Sequence, residues 1–141
     1  MPKLEDLQEA YEGLNWKLPM RGLDALASEA LLAFDYEFPD QPQEITIDTD
    51  EFTAVCPWTG LPDQGRLTII YVPSHRCVEL KSLKYYLLSY RDVGIVQEHA
   101  AARLLNDLVG LLQPRRMRIT LDYNIRGGLH TVVSVEHPAP K

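Results

Sequence analysis

The sequence contains little cysteine and no long apolar run. Its two cysteines, Cys56 and Cys77, are too few for a disulfide scaffold, and neither CxxC nor HxxxH spacing occurs, which argues against a protein-bound metal. No apolar run approaches the roughly 20 residues that span a bilayer. The acidic, polar N-terminus lacks the features of a signal peptide. These absences predict a cytoplasmic protein with no metal and no membrane association.

The common glycine-rich phosphate-binding motifs are also missing. Because neither GxGxxG nor a P-loop is present, a nucleotide cofactor must be held by other means. The net charge of −6 argues against general nucleic-acid binding. The charge is uneven, however: residues 1–70 carry 14 acidic and 4 basic side chains, and residues 71–141 carry 6 and 10. A local phosphate site in the second half is therefore compatible with the composition.

The length of 141 residues and a hydrophobic content of 45% are typical of one globular domain. Helical spacing of apolar residues predicts short helices over 4–12 and 22–34. The proline-rich segment FPDQPQ, 38–43, separates them from the rest of the chain. We therefore predict a helical N-terminal extension over 1–43 and a main domain over 44–141.

The main domain is predicted to contain four strands and two helices in the order ββααββ. The first strand has a bulge near Asp50, and the second helix and third strand give the clearest periodicities. The predicted ranges are strands 44–55, 66–73, 117–125 and 129–136, a loop at 57–65, and helices 78–92 and 97–113. This order predicts an α+β fold, an antiparallel sheet with a helix pair on one face. Its two open edges favour oligomerisation.

Cys56 and Asp63 are the first candidates for chemistry. A cysteine at the end of a strand is usually a small buried side chain, and an aspartate after proline is usually a turn residue. The alternative is a nucleophilic thiol with a general acid or base beside it, brought close by the intervening loop. These residues alone leave both interpretations open. Cys77 lacks such a neighbour and is interpreted as structural.

Charged side chains on the two predicted helices give the other candidates. Lys81, Lys84 and Arg91 lie close together on one helix, either as an ordinary solvated surface or as a seat for phosphates. Glu98 begins the other helix, where a carboxylate suits the helix dipole but can also bind the amidine-like edge of a guanine ring. His99 is either a proton carrier or a partner for a nearby acid.

Two segments then closely resemble one family, the NADPH-dependent 7-cyano-7-deazaguanine reductases. ELKSLKYY, 79–86, is similar to the family signature at every fixed position, and FTAVCPWTGLPD, 52–63, resembles its catalytic segment. SYRDVG before the second helix and RGG in the last hairpin also fit. The resemblance extends over about residues 44–137 and implies the tunnelling fold, a ββααββ unit shared with GTP cyclohydrolase I. It also implies a homo-oligomeric ring with active sites between subunits.

The resemblance implies reduction of the nitrile of 7-cyano-7-deazaguanine to 7-aminomethyl-7-deazaguanine, a step towards queuosine in tRNA. The substrate is the free base rather than nucleic acid, and two NADPH molecules are consumed. By the same resemblance, Cys56 forms a thioimidate with the nitrile carbon and Asp63 supplies a proton. Lys81 and Lys84 hold the NADPH phosphates, with Arg91 and Arg126 as looser candidates. The implied substrate-binding residues are Val78, Glu79, Leu80, Gln97 and Glu98.

One position departs from the family pattern. Many members have histidine immediately before the substrate-binding glutamate, whereas this chain has Gln97 there and His99 after it. Either residue can take the place of that histidine. Two other functions also remain open on this fold: an amidine-forming relative that uses ammonia instead of hydride, and a non-catalytic purine- or pterin-binding module.

Overall fold

The computed structural model of the protein describes residue 1, residues 3–14 and residues 17–141. The N-terminal region has a short 3₁₀ turn at Leu4–Leu7 followed by α1, Gln8–Glu12, and two further 3₁₀ turns at Leu23–Ala25 and Ser28–Ala30. The strands are β1 Ala33–Asp35, β2 Ile45–Val55, β3 Pro62–Val72, β4 Arg76–Val78, β5 Arg116–Tyr123 and β6 Val132–His137. The longer helices are α2 Leu80–Leu88 and α3 Gln97–Leu112.

The main sheet is antiparallel, with strand order β2-β3-β5-β6 and both long helices inserted between β3 and β5. This confirms the α+β class and the ββααββ order. The predicted bulge is also confirmed, because the β2–β3 register shifts between Thr49 and Phe52. β2 and β6 are the outer strands of the sheet, so each has an edge with no strand beside it within the described chain.

The core lies between α3 and one face of the sheet. Every second residue of β5 from Met117 to Tyr123 is buried, as strand periodicity predicts. The apolar stripe predicted on α3 is buried against β5 and β6 and consists of Ala101, Leu104, Leu105, Leu108 and Leu112. This core also contains buried aromatic side chains, which are Phe52, Tyr71, Tyr86, Tyr90 and Tyr123. Burial of these apolar faces fixes the sheet and α3 relative to each other.

The predicted helix over 22–34 is wrong. The segment forms two 3₁₀ turns and then β1, which pairs with β4 in a small second sheet. Among its own backbone groups, the hydrogen bonds are the short-range ones of the 3₁₀ turns. Two further N–H groups donate to serine hydroxyls on and just after α2: that of Ala27 to Ser89 Oγ at 3.0 Å, and that of Leu32 to Ser82 Oγ at 2.9 Å. These partners are distant in sequence, so local periodicity gave no sign of them.

The predicted loop over 57–65 is too long, because β3 begins at Pro62. Pro62 pairs with Val55 and Asp63 with Ala54 in the β2–β3 ladder. Proline is tolerated at the first position of a strand, where its missing N–H costs little. Asp63 is therefore a buried strand residue rather than an aspartate in a turn.

The apolar stripe predicted on the first long helix is also partly wrong. Leu83 and Tyr90 are buried as expected, but Leu80 is 61% exposed. Tyr86, which was not assigned to the stripe, is fully buried and hydrogen-bonded to Tyr90 at 2.8 Å between the hydroxyl oxygens. Within the described residues no helix has the length and hydropathy needed to cross a membrane. The boundary drawn between 1–43 and 44–141 stays a prediction.

Candidate active site

The residues of the candidate site meet at one end of the main sheet. The antiparallel register brings together the end of β2, the start of β3, the end of β5 and the start of β6, and the first turn of α3 lies beside them. A cavity of about 150 Å³ opens there. Its lining consists of Cys56, Pro57, Trp58, Asp63, Val96, Gln97, Glu98, Arg126 and Thr131. Sequence positions 56 and 131 thus share one site because of the sheet topology.

Cys56 lies at the start of a tight turn between β2 and β3. Its N–H donates to the carbonyl of Leu61 at 2.9 Å, and its carbonyl accepts from the N–H of Gly60 at 2.8 Å. Gly60 has a φ of 75°, and a Cβ there would lie 2.5 Å from the carbonyl oxygen of Leu18. This position therefore requires glycine on both conformational and steric grounds. The turn leaves Cys56 partly exposed at the cavity.

The N-terminal region supports this turn from outside. The N–H of Leu18 donates to the Thr59 carbonyl at 2.8 Å. Arg21 forms a parallel bridge with Val93, while Gly94 bridges Val55 at the end of β2. A Cβ on Gly94 would lie 2.3 Å from the sulfur of Met20, so the segment packs closely on this side. The position of Cys56 thus depends on contacts with the chain outside β2 and β3.

The Cys56 thiol has a lowered pKa. Partial burial raises this pKa, but hydrogen bonds to the sulfur from the Thr59 hydroxyl and from the backbone N–H groups of Trp58 and Thr59 lower it by more. The nearby charge of Asp63 acts in the raising direction and does not reverse the result. A lowered pKa increases the fraction of thiolate, which is the nucleophilic form. Cys77, in contrast, is buried with a raised pKa, mainly because of desolvation, in keeping with a structural role.

The Thr59 hydroxyl gives a direct test of this environment. We expect Thr59→Val to raise the pKa of the Cys56 thiol, because the sulfur loses a donor that favours its charged form. The rate of Cys56 alkylation by iodoacetamide, followed by peptide mapping across pH, should then have its midpoint at higher pH. Thr59→Ser keeps the hydroxyl and is the matched control. An unchanged midpoint in Thr59→Val would contradict this assignment.

Asp63 is a carboxylate that is almost removed from solvent. Its side chain is 10% exposed and forms an ion pair with Arg126, with 3.1 Å between Asp63 Oδ1 and Arg126 Nη1. A buried charge requires such a partner. The Arg126 guanidinium also lies over the ring of Tyr123, 4.8 Å from its centroid. The cavity therefore combines a thiol of lowered pKa with a paired, buried carboxylate.

Gln97 and Glu98, at the first turn of α3, face different surroundings. Gln97 is buried, and Glu98 is exposed and lines the cavity. Gln97 hydrogen-bonds Arg126 and two backbone carbonyls. His99 is exposed and is not part of the cavity lining. Of the two candidates for the place of the family histidine, only Gln97 therefore lies in this site.

The residues predicted around the start of α2 lie elsewhere in the chain. The Glu79 carboxylate caps α2, accepting from the N–H groups of Lys81 at 2.9 Å and Ser82 at 2.7 Å. These hydrogen bonds, with that of Ser82 first, hold the pKa of Glu79 below its ordinary value. Val78 is buried and Leu80 is exposed. None of these residues lines the Cys56 cavity within this chain.

A second cavity of about 240 Å³ lies between α2 and the outer strand β2. Its floor is apolar, and the exposed cations Lys84 and Arg91 are among its lining residues. Lys81 is exposed on the same helix but does not line this groove. None of the three forms an ion pair with another described residue. Two of the three predicted cations, Lys84 and Arg91, thus line an apolar groove. The groove lies at the β2 edge of the sheet, and β6 forms the other edge.

Two features of the site were not predicted from the sequence: the hydrogen bond from Thr59 to the Cys56 sulfur and the ion pair of Arg126 with Asp63. Arg126 was considered for phosphate binding, whereas the structure pairs it with Asp63. The only local signal was its place before Gly127 and Gly128, whose φ values of 57° and 79° suit a tight hairpin turn. Across the described ranges, no group of three or more His, Cys, Asp or Glu side chains is arranged to hold a metal ion.

Known proteins of the same kind were found by sequence. A family model described as "QueF-like protein" matches residues 62–141. An NADPH-dependent 7-cyano-7-deazaguanine reductase of Thermoanaerobacter pseudethanolicus is 50% identical over 120 residues, which are 85% of this chain and 90% of that protein. A protein of the same name from Chlorobaculum tepidum is 48% identical over 113 residues, 80% of this chain and 97% of that protein.

A solved structure supports the fold assignment independently. The crystal structure of the archaeosine synthase QueF-Like in the apo form matches with a TM-score of 0.66 and 22% identity, covering 72% of this chain and 99% of that chain. At this identity the match establishes the tunnelling fold and nothing finer. The family model and the relatives near 50% identity establish more. This chain belongs to the QueF-like family, among relatives named NADPH-dependent 7-cyano-7-deazaguanine reductases.

Proposed function

We propose that this protein reduces the nitrile of 7-cyano-7-deazaguanine to the primary amine of 7-aminomethyl-7-deazaguanine, with NADPH as the reductant. The observation that carries the proposal is the pairing, in one cavity, of a cysteine whose thiol pKa is lowered with a buried carboxylate, Asp63. Relatives at about 50% identity bear the name of this activity.

In the proposed first step, the Cys56 sulfur attacks the nitrile carbon. The thiol proton passes to the Asp63 carboxylate and from there to the nitrile nitrogen, as the C≡N bond becomes C=N and a C–S bond forms. The product is a neutral thioimidate, with no net gain or loss of protons. Its carbon accepts hydride more readily than a nitrile carbon does, which is the reason for covalent catalysis here.

Conversion of a nitrile to a primary amine adds two hydrides and two protons. NADPH supplies one hydride when it is bound, so two molecules are consumed in each turnover. After the first reduction the Cys56–carbon bond breaks and the sulfur leaves as thiolate, giving an imine that accepts the second hydride. Asp63, held beside the cavity by Arg126, is placed to pass protons to the nitrogen. Two protons enter from water in each turnover, and the thiolate that leaves is free to attack the next nitrile. Glu98 projects from the cavity lining and binds the amino-pyrimidinone edge of the base.

The groove beside α2 fits a nucleotide with several phosphates. Its apolar floor suits a ring system, and Lys84 and Arg91 supply positive charge, with Lys81 on the same helix. Lysine and arginine are the usual partners of phosphate oxygens. The groove and the Cys56 cavity, however, have no lining residue in common. We therefore propose that a complete site combines the cavity of one subunit with the groove of another.

We propose that two copies of the chain meet along the sheet edges. The cavity borders the start of β6, where Thr131 lies, and the groove borders β2 at the opposite edge. Antiparallel pairing of β6 with β2 of a second copy would bring the cavity of one subunit next to the groove of the other. It would also satisfy two open edges, and repetition of the contact closes a ring. In such a ring Val78, Glu79 and Leu80 reach the substrate from the second subunit.

Loss of Lys84 should weaken cofactor binding more than it slows chemistry. We expect Lys84→Ala to raise KM for NADPH by about tenfold, because one charge-assisted phosphate contact is lost. The value of kcat should change little. Lys3→Ala, a change at an exposed cation outside both cavities, is the control. An unchanged KM for NADPH in Lys84→Ala would contradict the placement of the cofactor in the groove.

The function itself is tested by mixing the protein with the free nitrile base and NADPH. We expect oxidation of two NADPH for each aminomethyl product detected by mass spectrometry. Production of an amidine from ammonia, without NADPH oxidation, would support the amidine-forming alternative. Binding of the base without any product would support a non-catalytic module. The reaction requires that the Cys56 thiol stays reduced. Because the cytosol keeps thiols reduced, we propose that the protein works in the cytoplasm.

A further inference from the structure

The side-chain amide of Gln97 forms three hydrogen bonds inside the protein. Gln97 is 3% exposed. Its Nε2 donates to the backbone carbonyls of Leu121 and Thr131, both at 2.8 Å. An amide nitrogen has two hydrogens to donate, so both are used. These two carbonyls are on β5 and just before β6, the two segments that carry the Arg126 hairpin between them.

The two carbonyls also fix which way the amide points. If the amide were rotated by half a turn, its oxygen would face two carbonyl oxygens in a buried position, which is strongly unfavourable. Gln97 Oε1 therefore has to face away from them, and there it accepts from Arg126 Nη2 at 3.1 Å. The orientation follows from the hydrogen-bond partners and not from the choice of amide atoms.

The same guanidinium contacts Asp63. Arg126 Nη1 lies 3.1 Å from Asp63 Oδ1, while Nη2 is held by Gln97. The guanidinium carbon lies over the Tyr123 ring, 4.8 Å from its centroid. The Arg126 side chain lies in a hairpin turn and is 40% exposed, so without these contacts it would populate many rotamers. Gln97 and Tyr123 together restrict it to the one that meets the carboxylate.

We infer that Gln97 is a positioning residue: it holds Arg126 on Asp63 and does not itself bind the substrate. The inference rests on the proposed function, in which Asp63 transfers the proton. Because Gln97 is uncharged, it orients the Arg126 guanidinium without competing with Asp63 for its positive charge. Both of its amide hydrogens are engaged and its oxygen already accepts from Arg126, so this buried side chain has no hydrogen left to donate to a ligand.

The test compares Gln97→Met, which has similar length and no hydrogen bonds, with the wild type. We expect kcat to fall by about tenfold, on the scale of a lost hydrogen bond to a charged group, while KM for the nitrile base stays within about threefold. A rise of KM with unchanged kcat would show direct substrate binding and overturn the inference. An unchanged kcat and KM would overturn it as well.

A double-mutant cycle shows whether Gln97 acts through Arg126. Gln97→Met combined with Arg126→Met should be no slower than Arg126→Met alone, since the residue to be positioned is already gone. Multiplied losses of kcat in the double variant would contradict the inference. His99→Ala is the neighbouring control, and we expect it to keep wild-type kcat because His99 is exposed outside the cavity.

A second variant covers the case in which Gln97→Met does not fold. Arg126→Lys leaves Gln97 and its carbonyl contacts in place and keeps the positive charge, but an ammonium cannot reproduce the two-armed contact of a guanidinium. We expect the same loss of kcat as for Gln97→Met, and wild-type kcat would overturn the inference. Wild-type protein without any NADPH oxidation would instead count against the proposed function, which keeps the two failures distinct.

Discussion

Cys56→Ala is expected to reduce turnover by roughly 10⁴-fold or more, the scale of deleting a catalytic nucleophile. Without the sulfur, hydride has to add directly to the nitrile carbon, which is a poor acceptor. Binding of the base should persist, because Glu98 and the rest of the cavity lining are unchanged. The measurements are NADPH oxidation at saturating nitrile and the dissociation constant of the base.

The second cysteine supplies the matched control for this experiment. Cys77 is 7% exposed, lies on β4 and is outside the cavity. Cys77→Ala removes a thiol of the same kind and should leave turnover within about threefold of wild type, because only packing changes. Turnover in Cys56→Ala close to that of Cys77→Ala would exclude covalent catalysis by this residue.

Asp63→Asn is expected to lower kcat by about 10²- to 10⁴-fold, the range typical of a lost general acid or base. The amide has nearly the same shape, but it cannot accept the Cys56 proton and return it to the nitrogen. The change also removes the charge that pairs with Arg126. Thioimidate formation should slow along with turnover. Its rate can be followed without NADPH by rapid quenching and measurement of the protein mass.

Asp122→Asn is the control for loss of a carboxylate. Asp122 is on β5 beside Tyr123 but lies outside the cavity and pairs with His130, with 2.6 Å between Oδ1 and Nε2. Its replacement removes one negative charge without touching Asp63. We expect kcat close to wild type. An equal loss of kcat in both variants would mean that Asp63 acts on stability or charge instead of on the proton.

Local patterns predicted those parts of the fold whose partners are near in sequence. The stripe on α3 and the alternation on β5 follow from burial on one side, and the bulge in β2 was placed correctly near Asp50. The helix predicted over 22–34 does not form, and two N–H groups of this segment donate instead to the hydroxyls of Ser82 and Ser89, which are 50 and 62 residues away. No local pattern reports such contacts.

The site shows the same division between local and distant information. Cys56 and Asp63 are close in sequence and were identified together, although only the β2–β3 ladder shows that Asp63 is buried in a strand. Arg126 reaches Asp63 from a hairpin across the sheet. The internal contacts of Gln97 depend on carbonyls of Leu121 and Thr131, more than 20 positions along the chain.

In the proposed reaction, everything after the first step depends on a covalent adduct between Cys56 and the nitrile carbon. The most direct measurement is the intact mass of the protein after incubation with 7-cyano-7-deazaguanine in the absence of NADPH. We expect a mass increase of one equivalent of the base per chain, which maps to the peptide containing Cys56 and disappears on addition of NADPH. An unchanged mass under conditions where the wild type turns over, or an adduct on another residue, would contradict it.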